Sequence, residues 1–226
     1  MGELVASLTH ELNQPLGAVL SNLEGLARLQ SREKARPELA SRMLKNAIQD
    51  ARRAAEVARR VRAMFKGEST HKIALDVNSL IKEVIELIGN EAEFRGIAVR
   101  IDDSPVRLHA LADPVQVQQC LLNLLTNSFD ATSELRPGAP EVTIRIAQQE
   151  HGWIQLNVRD NGAGVDPTIA DRLFEPFVTT KPKGMGLGLL VTKSIVETHG
   201  GRLWFTPNPE GGTTFTFTLP TADGSN

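Results

Sequence analysis

No apolar run in this chain approaches the roughly 20 residues that a membrane-spanning helix needs, and no cleavable leader is expected from its first residues. The residues given are expected to be soluble, without a membrane segment. An excess of charge of one sign is also lacking: 25 Lys and Arg stand against 27 Asp and Glu, a net charge of −2. That balance offers no electrostatic footprint for nucleic acid, so no nucleic-acid partner is expected. The basic cluster Arg52, Arg53, Arg59, Arg60 and Arg62 is interleaved with alanines on a helical pattern and reads as a solvated helix face. Cysteine is nearly absent. The single Cys120 lies among Leu121, Leu122, Leu124 and Leu125, which argues for a buried structural thiol rather than a redox or metal role, and for a reducing, cytoplasmic location. His71, His109, His151 and His199 lack metal-ligand spacing, and no internal repeat or low-complexity tract is present.

What is there, 226 residues with 41% hydrophobic and 23% charged, suffices for one or two globular domains. Residues 3–31 carry Leu4, Leu8, Leu12, Leu16, Val19, Leu23, Leu26 and Leu29 at helical spacing, with Pro15 expected to bend the helix. A second helix is predicted over 38–65, from Leu39, Met43, Leu44, Ala47, Ile48, Ala51, Ala54, Val57, Val61 and Met64. Two helices joined by a short loop make an antiparallel hairpin, whose apolar stripe would be hidden by dimerisation into a four-helix bundle. The polar segment 66–72 reads as a linker. This divides the chain into 1–66, a linker at 67–72, a second domain at 73–221 and a tail at 222–226.

The second domain alternates helix and strand signals. A helix is predicted over 78–94, strands over 97–101 and 106–111, and a helix from the Asp113-Pro114 start to about Ser133. Residues 142–147 and 153–158 alternate and are expected to pair, and Phe215, Phe217 and Leu219 alternate along a final strand. The expected architecture is an α/β sandwich, a mixed sheet covered on one side by helices.

Chemistry concentrates in two glycine clusters. Asp160-Asn161-Gly162-Ala163-Gly164 follows a predicted strand, and Gly184-Met185-Gly186-Leu187-Gly188 runs directly into a helical pattern at 189–196. Glycines let the main chain approach a ligand, and helix starts hold phosphate through free N–H groups. Between them lie Leu173-Phe174-Glu175-Pro176-Phe177, an aromatic hinge, and Thr179-Thr180-Lys181-Pro182-Lys183, a basic segment able to fold over a polyphosphate as a lid that orders with nucleotide. Upstream, Asn123 and Asn127 project from one helix face. Near the start stands His10-Glu11-Leu12-Asn13-Gln14-Pro15.

Together and in this order, these motifs resemble the sensor histidine kinases of two-component signalling. The resemblance covers essentially the whole chain: an H box at His10, an N box ending at Asn127, glycine boxes at Asp160 to Gly164 and Gly184 to Gly188, an F box at Phe174 and Phe177, and a closing Gly211-Gly212-Thr213 turn. The wording around His10 and at Pro176-Phe177-Val178-Thr179-Thr180-Lys181-Pro182 is similar to the oxygen-sensing and dicarboxylate-sensing branch. It implies a dimeric helical hairpin followed by the ATP-binding fold of histidine kinases, DNA gyrase, ninety-kilodalton heat-shock chaperones and mismatch-repair ATPases. Mg-ATP would phosphorylate His10, with Glu11 orienting the imidazole and taking its proton, and the phosphoryl group would pass to an aspartate of a response regulator. The nine residues before His10 in this sequence are too few for a sensor segment, so what is expected here is a transmitter core without its stimulus reader.

The resemblance implies a cofactor set of Asn123, Asn127, Asp160, Gly162, Gly164, Val165, Phe174, Phe177, Lys181, Lys183, Gly184, Gly186, Leu187, Gly188 and Thr213. In that set the resemblance implies that Asn127 holds the magnesium ion and Asp160 accepts the adenine amine; Val165, Leu173, Leu189 and Phe215 read either as apolar contacts to the nucleotide or as core residues. Hydrolysing relatives carry glutamate where this chain has Asn123, an amide that cannot act as a base, so attack by water is expected to be slow. One position departs from the family. Four residues after the histidine, where many relatives have threonine or asparagine, this chain has Gln14, whose extra methylene displaces the polar group.

Overall fold

The computed structural model describes residues 2–30, 37–65, 71–102, 107–133, 139–181 and 186–222; for 2–14, 30, 52, 53, 55–65 and 133 it describes the backbone alone. The chain forms two compact units, 1–67 and 68–226.

The first unit is a helical hairpin of α1 (Gly2–Gln30) and α2 (Pro37–Phe65). α1 runs through Pro15 as one helix. The ring lacks an N–H, which removes one intrahelical bond, yet the helix continues because the remaining turns stay paired. Small residues bring the helices together: Ala47 and Ala54 are buried, and a Cβ on Gly25 would collide with the Met43 methyl. Leu16, Leu20 and Leu23 on α1 and Leu44 and Ile48 on α2 remain 46–59% exposed. Those spacings of three and four residues make each set one stripe, an apolar face left over after the hairpin has packed.

The second unit is a five-stranded sheet with helices on one face. β1 (Ile73–Asp76) leads into α3 (Val77–Arg95), capped at its start by the Asp76 carboxylate on the Ser79 N–H and stopped by Gly96 at φ 68°. β2 (Ala98–Asp102), β3 (His109–Ala112) and α4 (Pro114–Ser133) follow. As the Asp113-Pro114 pair implies, Asp113 Oδ1 accepts the N–H groups of Val115 at 3.0 Å and Gln116 at 3.2 Å. Then come β4 (Glu141–Gln149), β5 (Trp153–Asp160), α5 (Gly188–Thr198), β6 (Leu203–Pro207) and β7 (Thr213–Pro220).

The sheet order is β2-β4-β5-β7-β6, with β2 and β4 parallel and the other pairs antiparallel. Val142, Ile144 and Ile146 of β4, Ile154, Leu156 and Val158 of β5, and Phe215, Phe217 and Leu219 of β7 are buried. The intervening residues are polar: Thr216 Oγ1 and Gln155 Nε2 both donate to Asn157 Oδ1 on that other face. Period-2 alternation thus gives one apolar face, which α4 covers with Leu121, Leu124, Leu125 and Phe129.

The strand expected at 106–111 is corrected. β3 begins only at His109, residue 106 lies outside the described residues, and the strand belongs to no part of the main sheet; it pairs antiparallel with β1 in a separate two-stranded sheet. Alternation in His109-Ala110-Leu111-Ala112 marks a strand, but its partner lies 33 or more residues upstream, and local pattern carries no information about a partner that remote.

Buried His199 ties this corner together. Its Nε2 accepts the Asp113 N–H at 3.0 Å, and its Nδ1 lies 2.8 Å from the Ile195 carbonyl, to which it donates. Those two bonds require the neutral ring.

Candidate nucleotide-binding site

Period 2 in β5 places Asp160 on the same buried face as Val158 and Leu156, beneath α4. Its Oδ1 accepts the N–H groups of Gly162 at 3.0 Å and Thr213 at 3.1 Å. Its Oδ2 receives only a long bond from Ser128 Oγ, 3.4 Å, and so keeps acceptor capacity for a ligand. Burial pushes the carboxyl above the ordinary carboxylate range, and the bonds from Gly162, Thr213 and Ser128 only partly oppose this. A buried, oriented acceptor of this kind suits an exocyclic amine and rejects a carbonyl.

The backbone around Asp160 is held just as firmly. Asn208 Nδ2 donates to the Asp160 carbonyl at 2.8 Å, and Asn161 bridges Ala139 and Glu141 at the start of β4. Gly162 needs to be glycine for a reason that does not involve a ligand: a Cβ there would stand 2.5 Å from the Ala131 carbonyl carbon and oxygen, at the C-terminal end of α4. The first glycine cluster therefore docks on α4, and through that contact aims Asp160.

The exposed side of α4 carries Asn123, Asn127 and Asp130. Asn123 Nδ2 donates to the Gly188 carbonyl and to Thr192 Oγ1, both at 3.4 Å, joining α4 to the first turn of α5. Asn127 Oδ1 accepts from Lys181 Nζ at 2.9 Å, and the same ammonium pairs with Asp130 Oδ2 at 2.7 Å. Asp130 Oδ1 meets Arg95 at 2.8 Å, and Arg95 also meets Glu91 at 2.6 Å. Burial alone would raise the Asp130 carboxyl, but the bonds from Lys181 and Arg95 hold it below its ordinary value. Asn127 Oδ1 thus already faces a cation. An amide oxygen is the kind of neutral oxygen donor that fits magnesium, which needs few protein ligands. Among the described residues no group of three or more His, Cys, Asp or Glu is placed to hold a metal.

α5 begins without a side-chain cap at Leu187, so the N–H groups of its first turn point outward unpaired by the helix. Among the described residues a Cβ on Gly188 would meet nothing nearer than Asn123 Cγ at 4.0 Å, so packing against those residues does not demand glycine there. Close approach of a phosphate to the helix start would. Gly186, at φ 64°, lies against the Phe177-Val178 peptide, and Phe177 itself sits at φ 64°. A bulky side chain in that region is strained, which marks the hinge as set by its surroundings.

Several of the expected site residues also have partners within the chain. The Phe174 and Phe205 rings meet tilted by 53° with centroids 6.3 Å apart, Phe205 meets Phe215 at 6.1 Å, and Lys193 lies 5.9 Å above the Phe174 ring. Leu187 is fully buried and Leu173 nearly so, while Val165 is partly exposed. Thr213 contributes its backbone N–H to Asp160. Gly164 lies beside the Gly212 backbone at φ 83°. Pro182, Lys183 and Gly184 lie outside the described residues, whereas Thr179, Thr180 and Lys181 of the expected lid lie within them. His10, Glu11 and Gln14 lie on α1 of the other unit, with side chains outside the described ones.

Residues 1–70 match the His Kinase A (phospho-acceptor) domain, and residues 112–223 match the Histidine kinase-, DNA gyrase B-, and HSP90-like ATPase family. The sensor protein FixL of Bradyrhizobium diazoefficiens is 38% identical over 226 residues, 99% of this chain and 44% of FixL. The C4-dicarboxylate transport sensor protein DctS of Rhodobacter capsulatus is 35% identical over 225 residues, 97% of this chain and 33% of DctS. The chain belongs to the sensor histidine kinases. It spans less than half the length of those two curated relatives. Full-length ShkA in complex with AMPPNP superposes with a TM-score of 0.73 at 28% identity, covering 97% of this chain and 46% of ShkA. The second unit of this kinase is thus an ATP-binding fold, and its helical hairpin is a phospho-acceptor domain. No helix among the described residues is long and apolar enough to cross a membrane.

The sequence reading of this kinase missed Ser128, Asn208, Thr192, Arg95 and Asp130. Ser128 and Asp130 follow Asn127 by one and three residues on the N-box helix, close enough to stand out as its neighbours. Asn208 and Arg95 are 48 and 35 residues from the groups they hold, and no local signal marks them.

Proposed function

We propose that this chain is a homodimeric histidine kinase core, which uses Mg-ATP to phosphorylate His10 and passes the phosphoryl group to an aspartate of a response regulator. Its parts are a dimerisation and phosphotransfer domain at 1–66, a linker at 67–72, a catalytic domain at 73–221 and a tail at 222–226. The observation that carries the reading is the buried Asp160 carboxylate, one oxygen fixed by two backbone N–H groups, on the same domain as the uncapped start of α5. Base and polyphosphate thereby receive separate, chemically matched partners. Magnesium, when bound at Asn127, neutralises charge on the transferring group.

Asp160 selects adenine, Lys181 and the α5 N–H groups orient the phosphates, and Asn123 offers no base to activate water, which leaves the γ-phosphoryl group for His10. The imidazole nitrogen bonds to phosphorus as the bond to the ADP oxygen breaks, and Glu11 takes the proton from the other ring nitrogen. Apolar stripes at Leu16, Leu20 and Leu23 and at Leu44 and Ile48 support a second copy as the partner of the hairpin. Use of ATP and a lone buried thiol, Cys120, support a cytoplasmic site of action.

Incubation with γ-labelled ATP is the test. Acid-labile, alkali-stable label is expected on the unaltered chain and none on His10→Gln, which should bind a non-hydrolysable ATP analogue within about twofold of the parent, a change of under ~0.5 kcal/mol. Acid-labile label persisting in His10→Gln would overturn the phosphoacceptor assignment.

A further inference from the structure

Asp130 touches neither of the groups expected to face nucleotide base or helix-start phosphate, yet it sits at the centre of a charged chain. Glu91 and Arg95 on α3, Asp130 on α4 and Lys181, between Phe177 and α5, are joined one to the next, at 2.6, 2.8 and 2.7 Å. Arg95 approaches one carboxylate oxygen of Asp130 and Lys181 the other, so the carboxylate is fixed in plane from both sides. Side chains of Asp130, Lys181 and Arg95 are only 29–37% exposed, which limits their freedom and their screening.

Lys181 reaches from this anchor to Asn127 Oδ1. An ammonium has donors only, so its presence selects the oxygen of the Asn127 amide and turns the Nδ2 group away. The result is an amide oxygen already aimed at a positive charge before any ligand arrives, and a lysine already delivered to the polyphosphate side of α4. Long lysine side chains are otherwise costly to order, because many rotamers are lost.

We propose that Asp130 is a positioning residue of the nucleotide site: it holds the Lys181 ammonium against Asn127, so that both are pre-set for magnesium and phosphate. This rests on the nucleotide reading above and adds a residue that acts only through Lys181. When polyphosphate binds, Lys181 keeps Asp130 as its pivot and exchanges Asn127 for a phosphate oxygen, while Arg95 keeps the pivot in place. Asp130 carries negative charge near a polyanion, so a simple electrostatic view gives the opposite sign, in which removing it strengthens binding. The two views are separable by experiment.

Calorimetric titration of the whole chain with magnesium and a non-hydrolysable ATP analogue is made on Asp130→Asn, Lys181→Gln and the double variant. Each single change is expected to weaken binding roughly fivefold, as for a half-exposed charge pair lost from a site. The double variant is expected to be no weaker than the weaker single, because Asp130 has nothing left to position. Additive losses, or analogue binding to Asp130→Asn as tight as the parent or tighter, would overturn the proposal. Should Asp130→Asn fail to fold, Asp130→Glu carries the test. It keeps the charge but shifts the carboxylate by a methylene, and is expected to weaken the analogue at least twofold; parental affinity would again overturn the proposal. Failure of the unaltered chain to bind the analogue would overturn the nucleotide reading and this proposal together.

Discussion

Replacing Asp160 by asparagine should move nucleotide affinity and stability in opposite directions. Two backbone N–H groups, from Gly162 and Thr213, converge on one carboxylate oxygen, so in Asp160→Asn the amide oxygen takes that place and Nδ2 turns towards Ser128 and the ligand side. An adenine amine then meets a donor instead of a charged acceptor. Loss of one hydrogen bond to a charged group is worth about 1.5–3 kcal/mol, or roughly 10- to 150-fold in affinity for an ATP analogue. The guanine carbonyl loses its repulsion at the same time, so discrimination against a GTP analogue should shrink. Stability should rise. The folded-state pKa of Asp160 is raised above 3.8 by burial. Between 3.8 and that raised value the folded chain keeps a proton that the unfolded chain has released, so stability falls as pH rises through the window and stays lower above it. Asparagine cannot ionise and escapes this loss, giving a higher melting temperature at neutral pH and no gain well below the window. Calorimetric titrations at pH 7.5, and melting curves at pH 7.5 and at about pH 2.5, below the window, test both halves. Parental affinity for the ATP analogue, or a lower melting temperature at pH 7.5, would refute the reasoning.

Three further outcomes follow from other residues. Burial lowers the His199 pKa from 6.5, and its Nε2 must stay unprotonated to accept from Asp113; below pH 6.5 the unfolded chain binds the extra proton, so urea-unfolding stability should fall with pH at up to ~1.4 kcal/mol per unit, and His199→Gln should flatten that slope. Gly162→Ala places a methyl against the Ala131 carbonyl and should cost about 1–3 kcal/mol of unfolding free energy as an overpacked contact; unchanged urea midpoints would show that α4 yields without cost. Gln14, one methylene longer than asparagine, should make dephosphorylation of a phosphorylated regulator slow relative to phosphotransfer, and Gln14→Asn should change that dephosphorylation more than autophosphorylation. Strong acceleration of regulator decay by the parent chain, undiminished in Gln14→Ala, would show the residue has no such role.

Much of this protein was legible in one dimension because its signals are local. Helical spacing from Leu4 to Leu29, the Asp113-Pro114 start, alternation in β4, β5 and β7, and glycines placed before a helix each depend on a few neighbouring residues, as do the N-box pair Asn123 and Asn127. What needed tertiary structure was every partnership across the chain. The pattern of β3 marked a strand, but only folding assigned it to β1 rather than to the sheet. Gly162 and Phe174 were recognisable as motif residues, yet their immediate partners are the α4 backbone and Phe205, because a motif position records that a residue type is required without recording what it touches. Asp130 carried no signal of its own: a carboxylate on a helix face is ordinary until Arg95 and Lys181, 35 residues before it and 51 after it, arrive on either side. Hydrophobic periodicity depends on the face a residue presents, and the sequence by itself determined that much. Charge pairing depends on which faces meet, and only the packing of α3, α4 and the segment before α5 decided it.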